Sequence, residues 1–159
     1  MNRKILIAVD ESPNSTKAVN YVAETMEKTS SVTLFSVLPD AAATCEVDMD
    51  NPGLKSLYKN SLQTFCAIEA AKKNTVKESM EKAKECLVQA GFSSTKVKIK
   101  VQKKKIGIAR DVINEAQQGK YSTIVIGRRG LSGIKQFVLG SVSNKIVQLA
   151  KKVSVIIVD

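Results

Sequence analysis

Histidine and tryptophan are both absent from the 159 residues, and aromatic side chains make up only 4% of them. Without an imidazole, Ser-His-Asp and Cys-His nucleophilic centres, HExxH metal sites and histidine acid–base chemistry are all excluded. Three cysteines, Cys45, Cys66 and Cys86, are odd in number and contain no CxxC spacing, which argues against a disulfide framework or a tetrahedral zinc site. They read as reduced thiols, and the chain as cytoplasmic. Long apolar runs are missing too: stretches such as "ILIAV" fall far short of the ~20 residues that a membrane-spanning helix needs. The opening "MNRKILIAVD" reaches Asp10 too soon for a signal-peptide apolar segment and reads as part of the fold.

What is abundant is lysine. Lys and Arg outnumber Asp and Glu by 25 to 15, a formal charge of +10. Such a surface attracts anions in general. The lysines are dispersed along helices and strand flanks, however, and the interleaved aromatics on which single-stranded nucleic acids stack are not there. A nucleic-acid face built on Lys96, Lys98, Lys100 and Lys103 to Lys105 therefore ranks last among the functional readings.

Apolar residues form 43% of the chain, enough for one substantial core, and no repeat or linker divides it, so a single domain over residues 1–159 is expected. Short apolar runs alternate with amphipathic segments. "KILIAV" (4–9) reads as a strand covered on both faces. Ala18, Val19, Val22, Ala23 and Met26 then follow at helical spacing. "SVTLFSVL" (31–38) is a second strand. Residues 40–61, with "DNPG", read as an inserted loop with at most a short helical turn. A helix is expected from about Leu62, with Gly91 as its C′ residue. "KVKIKV" (96–101) alternates lysine with apolar residues, as an edge strand with one wet face would. A helix carrying Ile108, Ala109, Val112, Ile113 and Ala116, ended by Gly119, leads to the fourth strand "YSTIVIG". The helix 142–151 and a fifth strand 153–158 complete the pattern. Repeated β-α-β crossovers build an α/β fold: an open, mostly parallel, five-stranded Rossmann-like sheet with helices on both faces. Strand order 3-2-1-4-5 puts the topological switch, where such sheets bind ligands, between the ends of the first and fourth strands, at Asp10 and Gly127.

The segment entering that crevice is "IGRRGLSGIKQFVLGSVSNKI" (126–146). It contains no GxxxxGK[ST] phosphate loop, since Gly119-Lys120 is followed by Tyr121, and no GxGxxG fingerprint. "GLSGI" departs from a GxSxG nucleophile elbow at Ile134 and has no histidine to serve it. What remains is glycine where backbone turns, at Gly127 and Gly130, and Gly140-Ser141 at a helix start whose amides lack intrahelical acceptors. Ser141 or Ser143 could cap that helix or bond a phosphate oxygen, with Arg128 and Arg129 as cationic donors at the rim.

Gly127-x2-Gly130-x9-Gly140-Ser141 resembles the G-x2-G-x9-G-[ST] signature of the ATP-binding branch of the universal stress protein family. The resemblance extends over the whole chain, through "ILIAVDES", "TLFSVLP", "YSTIVIGRRG" and "GSVSNKIVQLAKKVSVIIV". It implies the α/β sheet inferred above, commonly in a homodimer, and ATP, or another adenine nucleotide, with Mg²⁺ in the crevice. Carried over by position, Ala8, Val9 and Asp10 would border the nucleotide, with Asp10 at the adenosine hydroxyls or amide donors. Val37 would flank the adenine. Ile126, Gly127 and Gly130 would line the path from ribose to phosphates, with Arg129 at a position the family varies. Gly140, Ser141, Val142 and Ser143 would hold phosphates through amides and hydroxyls. Asp10 could equally serve as a helix N-cap.

The expected function is thus an ATP-binding stress-response or regulatory module, ahead of a slow Mg²⁺-dependent ATP hydrolase or phosphotransferase. The chain supplies few candidates for a general base near the loop, which favours binding over turnover. "VSVIIV" (153–158), apolar on both faces, is expected to lie at a sheet edge and to pair with a second copy.

Overall fold

A computed structural model describes residues 3–38, 52–129 and 139–159; within 52–72 it describes the side chains of Thr64, Ala67, Ile68, Ala70 and Ala71 only. Five strands form one parallel sheet: β1 (Lys4–Ala8), β2 (Ser31–Leu38), β3 (Val97–Lys103), β4 (Thr123–Gly127) and β5 (Ser154–Val158). Their order is β3-β2-β1-β4-β5, the order expected from the sequence. Helices α1 (Pro13–Thr25), α2 (Pro52–Gln89), α3 (Ile108–Gln118) and α4 (Ser141–Leu149) supply the crossovers.

Strand alternation sorts the core into two layers. Ile5, Ile7, Val32, Leu34, Val97 and Val125 face α1 and α2, where they meet Ala18, Val19, Val22, Met80 and Leu87. Leu6, Phe35, Val37, Ile124 and Ile126 face the other way, onto Ala109, Val112, Ile113 and Ala116 of α3 and Ile146 of α4. Both faces of β1 are fully buried, which is why "KILIAV" is an almost unbroken apolar run. Each such side chain contributes about 1.5–3 kcal/mol through removal from water.

β3 lies at the edge. Its Lys100 pairs with Glu115 of α3 at 2.6 Å and lies 6.0 Å from the Phe35 ring centroid, while Lys96, just before the strand, donates from Nζ to the Thr29 carbonyl. Charged side chains along an exposed edge also discourage pairing with foreign strands.

The expectation of an inserted loop up to residue 61 is overturned. Helix α2 already begins at Pro52, so Pro52 and Gly53 of "DNPG" lie in a helix. The physical reason is proline's place at the first helical position, where its missing N–H is not needed and its fixed φ suits the helix. Residues 40–51 of the expected insertion lie outside the described residues.

Helix ends follow local chemistry. Gly91 has φ +102°, Phe92 N–H bonds the Leu87 carbonyl and Gly91 N–H that of Val88. That paired motif closes α2 as expected. At the end of α3 Gly119 is the C-cap, as expected. Gly119 is right-handed, and Lys120 takes the left-handed position with φ 54°. Glycine is needed at 119 because the Tyr121 ring lies over it, 2.1 Å from where a Cβ would be, with its hydroxyl donating to Thr33 Oγ1 at 2.9 Å. Among the described residues no helix is long and apolar enough to cross a membrane.

Candidate functional site

The carboxyl ends of β1 and β4 diverge at the switch point, because β1 hands its chain to α1 on one face while α4 starts on the other. One wall is the turn after β1. Val9 N–H bonds the Phe35 carbonyl, which extends the β1–β2 ladder by a residue. Asp10 then turns the chain into α1: its Oδ1 accepts from Ser12 N–H at 2.9 Å and from the hydroxyls of Ser12 and Ser15, each at 2.5 Å. Ser15 Oγ in return accepts the Asp10 N–H at 2.8 Å. Ser12 and Ser15 are buried, so the carboxylate organises a small polar cluster under the helix start. The N-cap position belongs to Ser12, followed by Pro13, and Ser12 makes no side-chain cap bond. Asp10 therefore supports the helix entry from two residues before the N-cap.

The other wall is the exit of β4. A Cβ at Gly127 would sit 2.7 Å from Asn14 Cβ and 2.8 Å from the Asn14 carbonyl carbon and oxygen. The sequence reading assigned this glycine to a tight turn and a ligand's approach. Its backbone is not left-handed, and the close approach it permits is that of α1. Beyond it, three successive carbonyls are tied down. Gly127 O accepts Ser143 Oγ at 2.9 Å, Arg128 O accepts Gly140 N–H at 3.0 Å, and Arg129 O accepts Asn14 Nδ2 at 3.1 Å. The Gly140–Arg128 bond holds the end of β4 beside the start of α4.

Helix α4 supplies the third side. Gly140 is its N-cap, Asn144 N–H makes the first helical bond to the Gly140 carbonyl, and no side chain caps the end. The amides of Ser141, Val142 and Ser143 thus have no acceptor among the described residues, at the positive end of the helix dipole. Neither serine caps the helix. Ser143 is buried and spends its proton on Gly127, whereas Ser141 is exposed. The Arg128 guanidinium pairs with Asp159 at 2.5 Å, just beyond the end of β5.

The universal stress protein family model matches residues 1–159. This chain belongs to the universal stress protein family. Universal stress protein YxiE of Bacillus subtilis (strain 168) is 27% identical over 155 residues, covering 94% of this chain and 95% of that protein. The fold is shared with the universal stress protein UspA from Lactobacillus plantarum, at a TM-score of 0.69 and 20% identity over 99% of this chain and 97% of that one. It is shared also with the universal stress protein from Archaeoglobus fulgidus in complex with dAMP, at a TM-score of 0.61 and 19% identity over 99% and 98%.

Within this universal stress fold, the residues singled out from sequence divide by face. Ala8, Val37, Ile126 and Val142 belong to the α3/α4 side of the sheet, Val37 and Ile126 being buried and Ala8 and Val142 partly so. Val9 is buried on the α1/α2 side, where Gly127 and Asn14 meet. Asp10 and Arg129 are half-buried between them, and Gly140, Ser141 and Ser143 stand at the start of α4. Gly130 lies outside the described residues. Sequence reasoning passed over Asn14 and Ser15 as constituents of this region. The available signal was the run of small polar residues, Ser12, Asn14 and Ser15, directly after Asp10, where a plain amphipathic helix would not need three of them. Among the described residues, no group of three or more Cys, Asp or Glu side chains is arranged to hold a metal ion.

Proposed function

We propose that this chain binds an adenine nucleotide, ATP with Mg²⁺ foremost, in the crevice between β1 and β4, and acts as a nucleotide-responsive regulatory module of the stress response. The observation that carries the reading is the set of donor amides at Ser141, Val142 and Ser143, held beside the end of β4 by the Gly140–Arg128 bond. Amides of this kind at a helix start suit phosphate oxygens. With the α1 side of the crevice filled by Asn14 against Gly127, the base and ribose would lie on the α3/α4 side, over Ala8, Val37, Ile126 and Val142. Asp10 Oδ2, which has no partner among the described residues, would accept from the ribose hydroxyls. Gly130 and Arg129 would border the phosphates. The dAMP complex of the Archaeoglobus relative supports an adenine nucleotide as the ligand class. Mg²⁺ would be carried by the phosphates.

Titration calorimetry with Mg·ATP tests the proposal, together with mass spectrometry of nucleotide released from denatured protein. Micromolar or tighter binding is expected, and Gly140→Leu, which crowds the helix start, should weaken it at least tenfold, about 1.4 kcal/mol. Undiminished binding in that variant would remove α4 from the site. The module reading ranks ahead of turnover because Asp10 has both oxygens committed in it, Oδ1 to the Ser12 amide and two hydroxyls and Oδ2 to the ribose.

The β5 edge supports a homodimer. Ile157 is 36% exposed there, and Val155, Ile156 and Val158 are only partly covered, whereas the central strands are closed to solvent. An apolar edge with an unpaired ladder invites a second copy. Light scattering at micromolar concentration should give twice the 17.3 kDa chain mass, and Ile157→Lys should return it to one.

A further inference from the structure

The crevice has two walls that belong to different helices, and the described contacts show what spans them. Of the three tied carbonyls after β4, those of Gly127 and Arg128 are held by Ser143 and Gly140, on the α4 side. Only the third crosses over. Arg129 O accepts Asn14 Nδ2, and Asn14 lies in the first turn of α1, between Ser12 and Ser15 of the Asp10 cluster. Ser12 Oγ is also 3.5 Å from the same carbonyl, but its proton is directed at Asp10 Oδ1 2.5 Å away, so it does not replace the amide.

We propose that Asn14 is a positioning residue of the nucleotide site: through the Arg129 carbonyl it fixes the distance between the Asp10 wall and the phosphate-facing amides of α4, without touching the ligand. This rests on the nucleotide reading above. Asn14 is half-buried and packs against Gly127, so its side-chain amide is held where the carbonyl is, and little entropy is lost in making the bond. A side chain without an N–H donor at that point loses the 3.1 Å tie to the Arg129 carbonyl and loosens the register of the two walls.

The test exploits two effects of opposite sign. Asn14→Asp is isosteric, places a negative charge in the first turn of α1 where the helix dipole favours it, and loses the donor. The helix-dipole gain offsets part of the lost bond, so Tm should change little, while Mg·ATP affinity falls about tenfold because binding must then hold the two walls in register without the tie. Asn14→Ala should weaken binding to a similar degree. Amide hydrogen exchange in peptides covering 123–140 should accelerate in both variants without nucleotide. Affinity within twofold of wild type in Asn14→Asp overturns the proposal, as does a loss of affinity that merely tracks a loss of Tm across the two variants. If the wild-type chain binds no adenine nucleotide, the nucleotide reading fails by itself. Unchanged exchange in 123–140 would then separately refute the tie through Arg129.

Discussion

Gly127→Ala should destabilise the protein by about 3 kcal/mol, towards the upper end of the usual range for overpacking a closed site. The new Cβ would approach Asn14 Cβ to 2.7 Å and the Asn14 carbonyl carbon and oxygen to 2.8 Å. Two of those three atoms are backbone, so relief requires the first turn of α1 to move. That turn is held by Pro13 at its start, by the Asp10–Ser12–Ser15 cluster and by the buried Ala18 and Val19 farther along. Gly127→Val should be worse, and at a total stability of about 5–15 kcal/mol it would leave a substantial unfolded fraction in a marginal protein. Urea denaturation gives the measure: the midpoint should fall by about 1–2 M for Gly127→Ala at unchanged m. Adding Asn14→Gly relieves only the Cβ contact and also removes the bond to the Arg129 carbonyl, so it should not restore the loss. An unaltered midpoint would mean that α1 shifts without cost, and the glycine would then have to be explained by the ligand instead.

The second large effect is expected at Asp10. Asp10→Ala removes the acceptor for the Ser12 amide and for two buried hydroxyls, Ser12 and Ser15. Hydrogen bonds to a charged group contribute about 1.5–3 kcal/mol each, and a donor stranded in a buried site costs about 1–3 kcal/mol. The bonds share one oxygen and are not additive, and a loss of about 3 kcal/mol is the expected sum. Asp10→Asn keeps the shape and an acceptor oxygen, so it should lose only about half as much. Nucleotide affinity separates structure from recognition. If Oδ2 meets the ribose hydroxyls, Asp10→Asn should weaken Mg·ATP binding by at least tenfold while the fold persists. Full affinity in that variant would restrict Asp10 to supporting α1.

Both predictions concern residues first picked out for a ligand and found in structural work. The reason is common to them. At a topological switch point the chain leaves the sheet in two directions, and the groups that could receive a ligand are the same groups that must join β1 to α1 and β4 to α4. Ser143 illustrates it. Read from sequence it is a hydroxyl for phosphate or a cap, yet its proton goes to Gly127 O, which leaves its amide and lone pairs for a ligand. Arg128, read as a rim cation, is drawn to Asp159 because β4 and β5 end side by side.

Five strands, their order, the edge positions of β3 and β5 and the topological switch between β1 and β4 were all legible in the sequence. These follow from apolar period, crossover handedness and the rule for open sheets, all of which act over short stretches or over topology. Local pattern misplaces the start of α2, because "DNPG" is compatible with a turn or with proline at the first helical position, and only the continuous helix chooses between them. Tertiary structure alone decided what fills the space beside each functional residue. Nothing in the spacing of Gly127 announces that Asn14, over a hundred residues earlier, lies against it, nor that Lys120 and not Gly119 turns left-handed under the packing of Tyr121. Contacts between segments far apart in the chain depend on how the two helical layers settle on the sheet, and that settling is a property of packing, which no local pattern encodes.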